Sequence, residues 1–341
     1  MAKEPTTQAV LQLLTQQDDY ISGEQMSQTL ELSRTAIWKG IESLRRAGYK
    51  IEARTRRGYR LSAMPDILQI DEIYAQMNRT DFCREIIYLD EIDSTNSYLK
   101  RRAAEGENLQ HGTVVIANSQ HGGRGRQGRG FASPKGQGLF LSVFLRAPGT
   151  SAASVTGLTA FAAVAVCQAI EAVAAVQPQI KWVNDVLVKD KKICGILTEM
   201  SIVGEMGLVD YIVIGAGINV RQQPADFPAE FRSRATSLLQ HCKEPPSRNH
   251  LAAALIEAFA DMYDVYLATP AAYAKYLQQY RERSATIGRE ILVIQADPEN
   301  ARRAQALDID DDCALVVRYP DGKTESLRYG EASIRGTDGY I

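Results

Sequence analysis

The residues best suited to chemistry lie in one glycine- and arginine-rich segment, His121–Gly130. It contains five glycines and three arginines, Arg124, Arg126 and Arg129. Glycine lets the backbone approach a ligand closely, and the arginine guanidinium donates paired hydrogen bonds to a carboxylate or a phosphate. The segment matches neither a Walker A loop nor a Rossmann turn. Because it stands between two apolar stretches, we expect a loop that orders over a bound anion; the alternative is a disordered RNA-binding tract.

Three further polar clusters accompany this segment. Lys181-Trp-Val-Asn-Asp185 precedes a polar turn and Lys192, a pattern that by itself is typical of an ordinary hairpin with a charged tip. It becomes a site only if its cations meet the arginine-rich segment. Asp93-Ser-Thr-Asn96 could be a plain helix cap, or could offer hydroxyl and amide groups to a small polar ligand. Gly215-Ala-Gly-Ile-Asn219 offers close backbone approach and one amide.

Residues 1–63 predict a winged helix-turn-helix. Apolar residues at Val10–Leu14 follow a helical period, and Ser22 with Gln25 forms a capping-box pattern before a short second helix. Ser33 can cap a third helix, which we expect to end at about Ala47. A β-ribbon follows, formed by Tyr49–Ile51 and Tyr59–Leu61.

This first domain also carries a concentrated positive charge. Between Arg34 and Arg60, nine Lys or Arg residues face only two Glu, a local charge of +7. The third helix has an apolar face for the core of the domain, and its polar and basic residues lie on the opposite, outward face, as on a DNA recognition helix. The candidate DNA-binding residues are Arg34, Thr35, Trp38, Lys39, Arg46, Arg56 and Arg57. The alternative is a winged helix that serves protein interaction or regulation. A single module reads few base pairs, so DNA binding would require a dimer.

The rest of the chain predicts two further domains, with boundaries at 70–282 and 283–341. Short strands alternate with helices up to Leu267, as in a mixed-sheet α+β or α/β domain. The predicted strands are Glu85–Leu89, Thr113–Ala117, Leu139–Leu145, Lys181–Val188, Ile193–Met200 and Tyr211–Ile214. The predicted helices are Ala152–Val176, Asn249–Leu267 and Pro270–Arg281. The last domain suggests a small β-barrel, with strands Glu290–Ile294, Ala304–Asp308, Ala314–Arg318 and Glu325–Tyr329.

Composition limits the class of protein. A length of 341 residues suggests two or three domains, and a net charge of −2 argues against a bulk nucleic-acid binder. That net charge combines +7 over residues 34–60 with −9 elsewhere. Five dispersed cysteines without a CxxC pair argue against zinc sites and disulfides. With neither a signal peptide nor a membrane span in the sequence, we expect a cytoplasmic protein without a membrane partner.

The four polar clusters, in this order along the chain, resemble the motif series of biotin–protein ligases. The specific part is the sequence GRGRxGR followed by KWxND and a later lysine. With its flanking domains, the whole chain resembles the bacterial family of bifunctional biotin ligases and biotin operon repressors. The resemblance implies a multidomain α+β fold: a winged helix-turn-helix, a central mixed-sheet domain of the biotin/lipoate ligase type and an SH3-like barrel. Gln127 and Val183 depart from residues common in that family, without removing a group assigned to chemistry.

The resemblance implies a two-step reaction. Biotin and MgATP give biotinyl-5′-adenylate, which then acylates a lysine of the biotin carboxyl carrier protein of acetyl-CoA carboxylase. Arg126 and Lys192 would act in catalysis, and Asp185 would orient or deprotonate the acceptor lysine. Biotin would bind at Ser94, Thr95, Asn96, Gln120, Arg124, Gly125, Arg126, Lys192 and Gly195. ATP and the adenylate would bind at Arg124, Arg126, Arg129, Lys192 and Asn219. No residue is assigned as a metal ligand.

The resemblance also implies regulation. The bound adenylate would act as corepressor, order loops, and drive a homodimer onto palindromic operator DNA, in competition with the carrier protein. Three alternatives stay open: a lipoate–protein ligase, which would lack both flanking domains; a ligase whose winged helix does not repress; and a non-catalytic DNA-binding regulator that senses a small anion.

Overall fold

The computed structural model of the chain describes residues 5–17, 19–46, 48–63, 66–147, 155–203, 208–267, 270–294, 301–328, 333–336 and 340. The chain divides into two units, Met1–Ile67 and Leu68–Ile341. Among the described residues, no helix is long and apolar enough to cross a bilayer.

The first unit has the predicted helix-turn-helix with a β-ribbon. Its elements are α1 (Pro5–Thr15), α2 (Gly23–Thr29), α3 (Arg34–Arg46), β1 (Lys50–Arg54) and β2 (Gly58–Ala63). The capping box is confirmed, since the Gln25 amide donates to Ser22 Oγ at 3.1 Å and the Ser22 amide donates to Gln25 Oε1 at 3.0 Å. Ser33 Oγ accepts from the Ala36 amide at 3.2 Å, as expected of a cap. The helix ends at Arg46, and the predicted terminus, Ala47, lies outside the described residues.

A mixed seven-stranded sheet forms the centre of the second unit. Its strands are β3 (Ile86–Leu89), β4 (Thr113–Ala117), β5 (Gly138–Arg146), β6 (Gln179–Lys181), β7 (Asp185–Val188), β8 (Lys191–Val203) and β9 (Leu208–Asn219). They are ordered β3-β4-β5-β9-β8-β7-β6, and only the β3–β4 pair is parallel. The helices of this unit are α4 (Ile70–Gln76), α5 (Thr95–Ala104), α6 (Val155–Val173), α7 (Arg248–Leu267) and α8 (Pro270–Glu282).

Helices cover both faces of this sheet. Successive residues of a strand point to opposite faces, so neighbouring residues of β5 show which helix packs on each face. Val143 packs in the same apolar cluster as Phe161 of α6 on one face. Its neighbour Phe144 packs with Leu99 of α5 on the other face. Neither α4 nor α5 was predicted as a helix, although the cap of α5 was one of the two interpretations of Asp93–Asn96.

The prediction of one strand over Lys181–Val188 was wrong. The chain turns at Trp182–Asn184, so β6 and β7 pair antiparallel, with Lys181 opposite Asp185. A distant segment of the chain holds this turn in place. Trp182 is 3% exposed, and its indole Nε1 donates to the Cys313 carbonyl oxygen at 3.0 Å. Local hydrophobicity cannot reveal such a turn, whose support lies more than a hundred residues away in the chain.

The remaining strands form an antiparallel five-stranded sheet. They are β10 (Glu290–Ile294), β11 (Arg302–Ile309), β12 (Leu315–Arg318), β13 (Thr324–Leu327) and β14 (Ser333–Gly336), in the order β13-β12-β11-β10-β14. Over the described ranges β13 and β14 do not pair, so the expected closure into an SH3-like barrel is not confirmed and stays a prediction. The predicted end of the fourth strand, Tyr329, lies outside the described residues.

Candidate functional site

A polar pocket lies where the start of α5 meets β5, β8 and β9. Its lining residues are Ser94, Thr95, Asn96, Gln120, Arg124, Phe131, Phe140, Gly195, Leu197, Gly215, Ala216 and Gly217. Six of the residues predicted to bind biotin are therefore brought together here: Ser94, Thr95, Asn96, Gln120, Arg124 and Gly195. We call this space the polar pocket.

The start of α5 serves both as a cap and as a pocket wall. Ser94 Oγ accepts from the Ser97 amide, and the Thr95 amide donates to Gln120 Oε1 at 2.9 Å. Ser142 Oγ of β5 lies 2.6 Å from both Thr95 Oγ1 and Asn96 Oδ1, so its single hydroxyl proton serves this pair of acceptors. The two interpretations of this cluster are thus compatible, since one serine caps the helix while the side chains around it face the pocket.

Glycines in β8 and β9 make the floor of the pocket. The predicted strand Tyr211–Ile214 continues through this glycine run to the end of β9. A Cβ atom at Gly215 would lie 2.2 Å from Asn96 Oδ1, and one at Gly195 would lie 3.0 Å from Lys192 Nζ. The absence of a side chain at Gly215 therefore makes room for the Asn96 amide against the sheet, and at Gly195 it allows the end of the Lys192 side chain to lie close to β8.

The Asn96 amide is oriented by a buried carboxylate that the sequence did not reveal. Its Nδ2 donates to Glu199 Oε2 at 2.9 Å and to the Leu197 carbonyl oxygen at 3.1 Å. Lys100 Nζ lies 2.6 Å from the other oxygen of Glu199. Burial opposes ionisation of Glu199, but the hydrogen bonds from Lys100 and Asn96 outweigh it and lower the pKa of this carboxyl. The carboxylate therefore stays ionised and fixes which way the amide points.

The glycine–arginine segment forms a tight hairpin beside the pocket. The Gln120 amide donates to the Ser133 carbonyl oxygen at 3.1 Å, and further in, the Gly125 amide donates to the Arg129 carbonyl oxygen at 2.7 Å. Arg124 donates to the Ser97 hydroxyl at the pocket. Arg126 Nη1 lies 3.4 Å from Asn184 Oδ1 in the turn between β6 and β7. The hairpin thus joins the polar pocket to the second predicted cluster, as a ligand loop requires.

Several cations surround one carboxylate at this second cluster. Lys192 Nζ lies 2.6 Å from Asp185 Oδ1. Lys181, Lys192, Arg129 and Arg234 together form what we call the cation cluster, since the last three all add positive charge around Lys181. Burial, with this positive surrounding, lowers the pKa of Lys181 to about 8 despite the attraction of Asp185. Such an excess of positive charge suits a polyanion such as a phosphate chain.

The Asp185 carboxyl stays ionised in this setting. Burial disfavours its charged form, but the ion pair with Lys192 and the hydrogen bond from the Tyr340 hydroxyl outweigh burial and lower its pKa. Tyr340 follows the last described strand and was not singled out in the sequence. Among the described residues, no group of three or more His, Cys, Asp or Glu is placed to hold a metal ion.

Asn219 lies buried at the end of β9 and is engaged by the protein itself. Its Nδ2 donates to the Thr236 carbonyl oxygen at 3.0 Å, and its Oδ1 accepts from Gln222 Nε2 at 3.1 Å. The segment that it anchors returns to Lys192, whose backbone amide donates to the Arg234 carbonyl oxygen at 2.7 Å. Asn219 does not line the polar pocket, and its contact with the adenylate stays a prediction.

In the first unit, the predicted DNA-binding residues are all exposed to solvent. They are Arg34, Thr35, Trp38, Lys39, Arg46, Arg56 and Arg57. Trp38 is 55% exposed, which is unusual for a large aromatic side chain. In the ribbon, Arg54, Arg57 and Arg60 place their guanidinium carbons 4.9, 4.9 and 5.1 Å from the centre of the Tyr20 ring. This aromatic residue holds three arginines together, and no pattern in the sequence indicated it.

The comparisons with known proteins agree with this architecture. Three family models match: the HTH domain over residues 6–60, the biotin/lipoate A/B protein ligase family over 88–219, and the biotin protein ligase C-terminal domain over 286–335. The chain is 38% identical to the bifunctional ligase/repressor BirA of Bacillus spizizenii, over 89% of this chain and 91% of the relative. It is 32% identical to the protein of the same name in Escherichia coli, over 98% and 99%.

A solved structure shares the fold of about three quarters of the chain. The biotin protein ligase from Aquifex aeolicus, in complex with biotin and ATP, superposes with a TM-score of 0.62 at 23% identity. The match covers 74% of this chain and 100% of that chain.

Proposed function

The chain belongs to the family of bifunctional biotin ligases and repressors, and we propose that it joins biotin to a lysine of a carrier protein with ATP and represses transcription in response to the adenylate. Its relatives align over nearly their whole length, and all three domain models match.

One observation carries the catalytic half of this proposal: a single hairpin reaches both the polar pocket and the turn next to the cation cluster. Arg124 lines the pocket, whereas Arg126 reaches Asn184, beside Asp185. A ligand that binds its polar ring in the pocket and extends its carboxylate along the hairpin would present that carboxylate to a phosphate held by the cations. This is the juxtaposition that adenylation of a carboxylic acid needs.

In the first step, the biotin carboxylate attacks the α-phosphorus of ATP and pyrophosphate leaves. Two anions have to be brought together, so the task of the protein is to neutralise charge rather than to supply a nucleophile. We assign Arg124, Arg126 and Lys192 to this neutralisation, with Arg129 and Asn219 on the nucleotide. The pocket residues Ser94, Thr95, Asn96 and Gln120, with Gly125 and Gly195 giving close approach, hold biotin. Mg²⁺ enters with ATP as MgATP, a cation that proteins commonly bind through substrate phosphates and water.

In the second step, the acceptor lysine attacks the acyl carbon of the adenylate. An ammonium is not a nucleophile, so a base has to take its proton. Asp185 is the ionised carboxylate at the cation cluster, and we assign it that role. The acceptor that we propose is a biotin carboxyl carrier protein.

The exposed basic surface of the first unit supports the regulatory half. We propose that it binds operator DNA upstream of biotin synthesis genes, as a homodimer that forms when the adenylate is bound. We also propose the domain limits 1–63, 70–282 and 283–341, an SH3-like barrel for the last of these, and a cytoplasmic location. The free cysteines in the described part of the chain fit a reducing compartment.

Exchange of labelled pyrophosphate into ATP tests the enzymatic half. We expect exchange that depends on biotin; dependence on lipoate would favour a lipoate–protein ligase instead. An absence of exchange with either acid would leave only a DNA-binding regulator. Footprinting of the biotin synthesis promoter, with and without biotin and ATP, tests repression, and lack of protection would indicate a ligase that does not repress.

A further inference from the structure

Tyr340 connects the C-terminal sheet to the charged part of the active site. Its hydroxyl donates to Asp185 Oδ2. Its backbone carbonyl oxygen accepts from Lys181 Nζ at 2.5 Å, and the centre of its ring lies 3.7 Å from the same nitrogen. One residue of the C-terminal domain thus binds both charged ends of the turn between β6 and β7.

The two oxygens of Asp185 are held by different donors. Lys192 lies on Oδ1 at 2.6 Å, and Tyr340 lies on Oδ2. Burial, and then the nearby carboxylate of Asp185, raise the pKa of the Tyr340 hydroxyl, so this group stays protonated and can only donate to the carboxylate. The Lys192 contact is temporary in the proposed reaction, because this cation is needed at the phosphate. The Tyr340 contact has no competing task.

We propose that Tyr340 is a positioning residue for the transfer step: its hydroxyl holds Oδ2 of Asp185 so that Oδ1 faces the acceptor lysine once Lys192 has turned to the adenylate. This inference rests on the proposed function, in which Asp185 is the base. A general base that acts in a defined direction is commonly oriented by a third group, as in a catalytic triad.

In the transfer step two protons leave the acceptor nitrogen and one bond to the acyl carbon replaces another. The acceptor ammonium gives one proton to Oδ1 of Asp185, and the resulting amine forms a C–N bond with the acyl carbon of the adenylate. The bond between that carbon and the phosphate oxygen breaks, and AMP leaves with the electron pair. The second proton on nitrogen goes to water, and Asp185 later returns its proton to solvent. Tyr340 keeps its own proton throughout.

The surroundings of Asp185 set the pH dependence. Among the described residues, the groups that interact with this carboxyl include Lys181 at the end of β6, Lys192 and Cys194 on β8, and Tyr340. Arg129 and Arg234 of the cation cluster add positive charge to the same surroundings. The two lysines and the tyrosine hydroxyl all favour the carboxylate. Removing the hydroxyl alone takes away one hydrogen-bond donor and raises the pKa of Asp185. The acid limb of the pH–rate profile for transfer therefore moves to higher pH.

The test compares the two steps in Tyr340→Phe, which keeps the ring over Lys181 and loses only the hydroxyl. We expect the single-turnover rate of transfer from preformed adenylate to fall about tenfold or more, as for loss of a hydrogen bond to a charged group. Biotin-dependent pyrophosphate exchange should fall at least several-fold less than transfer. A matched control is Tyr319→Phe. The Tyr319 hydroxyl also donates to a carboxylate, Glu325 at 2.8 Å, under the guanidinium of Arg302, but within the C-terminal sheet.

A double-mutant cycle separates positioning from a general structural effect. If Tyr340 acts through Asp185, then Tyr340→Phe has no further effect on transfer in the Asp185→Asn background. Additive losses, an unmoved acid limb, or equal losses in both steps would each overturn the proposal. Absence of exchange in the unaltered protein would refute the proposed function itself. Normal exchange together with normal transfer in Tyr340→Phe would refute only the role of Tyr340.

Discussion

Lys192 Nζ lies 2.6 Å from Asp185 Oδ1, and the two residues belong to adjacent strands, β8 and β7. The cation assigned to the first step therefore neutralises the carboxylate assigned to the second. In the proposed mechanism, an anionic ligand draws the ammonium away, which frees Oδ1 of Asp185 while Tyr340 still holds Oδ2. We therefore expect the ion pair to keep the two steps in order, with Asp185 accepting the acceptor's proton after Lys192 has moved to the adenylate.

Lys192→Ala should lower the rate of adenylation by about two orders of magnitude, the scale for losing one preorganised charged donor. Biotin-dependent pyrophosphate exchange measures it. The exposed neighbour Lys191 gives a matched control, and Lys191→Ala should retain exchange. Near-normal pyrophosphate release from Lys192→Ala would remove Lys192 from the mechanism.

Arg126→Gly should lower adenylation by a similar factor of about a hundred and also release a larger fraction of the adenylate formed. The reason is its contact with Asn184, since loss of this tie lets the hairpin open and exposes the mixed anhydride to solvent. Avidin blots of a mixture of unrelated proteins should then show general biotinylation. Lys135→Gly, which removes an exposed cation paired with Asp90 beyond the hairpin, should not produce this labelling. A variant that retains its adenylate as well as the unaltered protein does would contradict this.

Gly215→Ala should weaken biotin binding by about tenfold or more, because the new methyl group displaces the Asn96 amide from the sheet. Calorimetric titration with biotin measures the affinity. Thermal unfolding of the same variant shows whether the fold persists. Unchanged affinity in a folded variant would mean that Asn96 does not contact biotin.

Lys39→Ala should weaken operator binding without affecting ligation, since Lys39 is exposed on α3, away from the apolar face. If Lys39 contacts a phosphate, the slope of log affinity against log salt concentration should fall by about one. Footprinting with biotin and ATP at several salt concentrations measures both. Lys275→Ala, at an exposed position on α8, is the control of equal charge, and an equal loss in both variants would indicate only a net-charge effect.

Adenylation should become less efficient as the pH rises through about 8. Lys181 has a pKa lowered to about 8, so it is protonated below this pH and loses its charge above it, weakening the field that holds the phosphates. Because kcat/KM reports the free enzyme, its value for ATP should decline on the alkaline side. Lys181→Arg keeps the charge at all these pH values and should abolish the decline. If kcat/KM for ATP declined at alkaline pH in this variant as it does in the unaltered protein, the decline would have to come from another group.

The sequence predicted the parts of the structure that depend on neighbouring residues. The capping box of Ser22 and Gln25 and the apolar face of α3 are local patterns, and the structure confirms both. Asn96, Gln120 and Arg124 were found through their motifs and do meet in the polar pocket. The first two patterns act over a few residues, whereas the grouping of Asn96, Gln120 and Arg124 followed from the family resemblance.

The residues that sequence reasoning missed depend on pairings between distant segments. Glu199 contacts Asn96 across a separation of 103 residues, and Tyr340 contacts Asp185 across 155, so neither pair can be read from a local pattern. Ser142 could have been noticed, since it is the one polar residue in the apolar stretch Leu139–Leu145. The turn at Trp182–Asn184 could not, because the Cys313 carbonyl oxygen that holds Trp182 lies 131 residues away in the chain.

The chain has two tryptophans, and they stand in opposite environments. Trp38 is 55% exposed on the predicted recognition helix, whereas Trp182 is 3% exposed in the turn between β6 and β7. We therefore expect two native fluorophores with separate emission: Trp38 red-shifted and accessible to quenchers, at the proposed DNA contact, and Trp182 blue-shifted and protected, beside the proposed nucleotide site. Substituting either with phenylalanine isolates the other signal. Ligand occupancy and operator occupancy can then be recorded in the same cuvette, which allows their coupling to be timed.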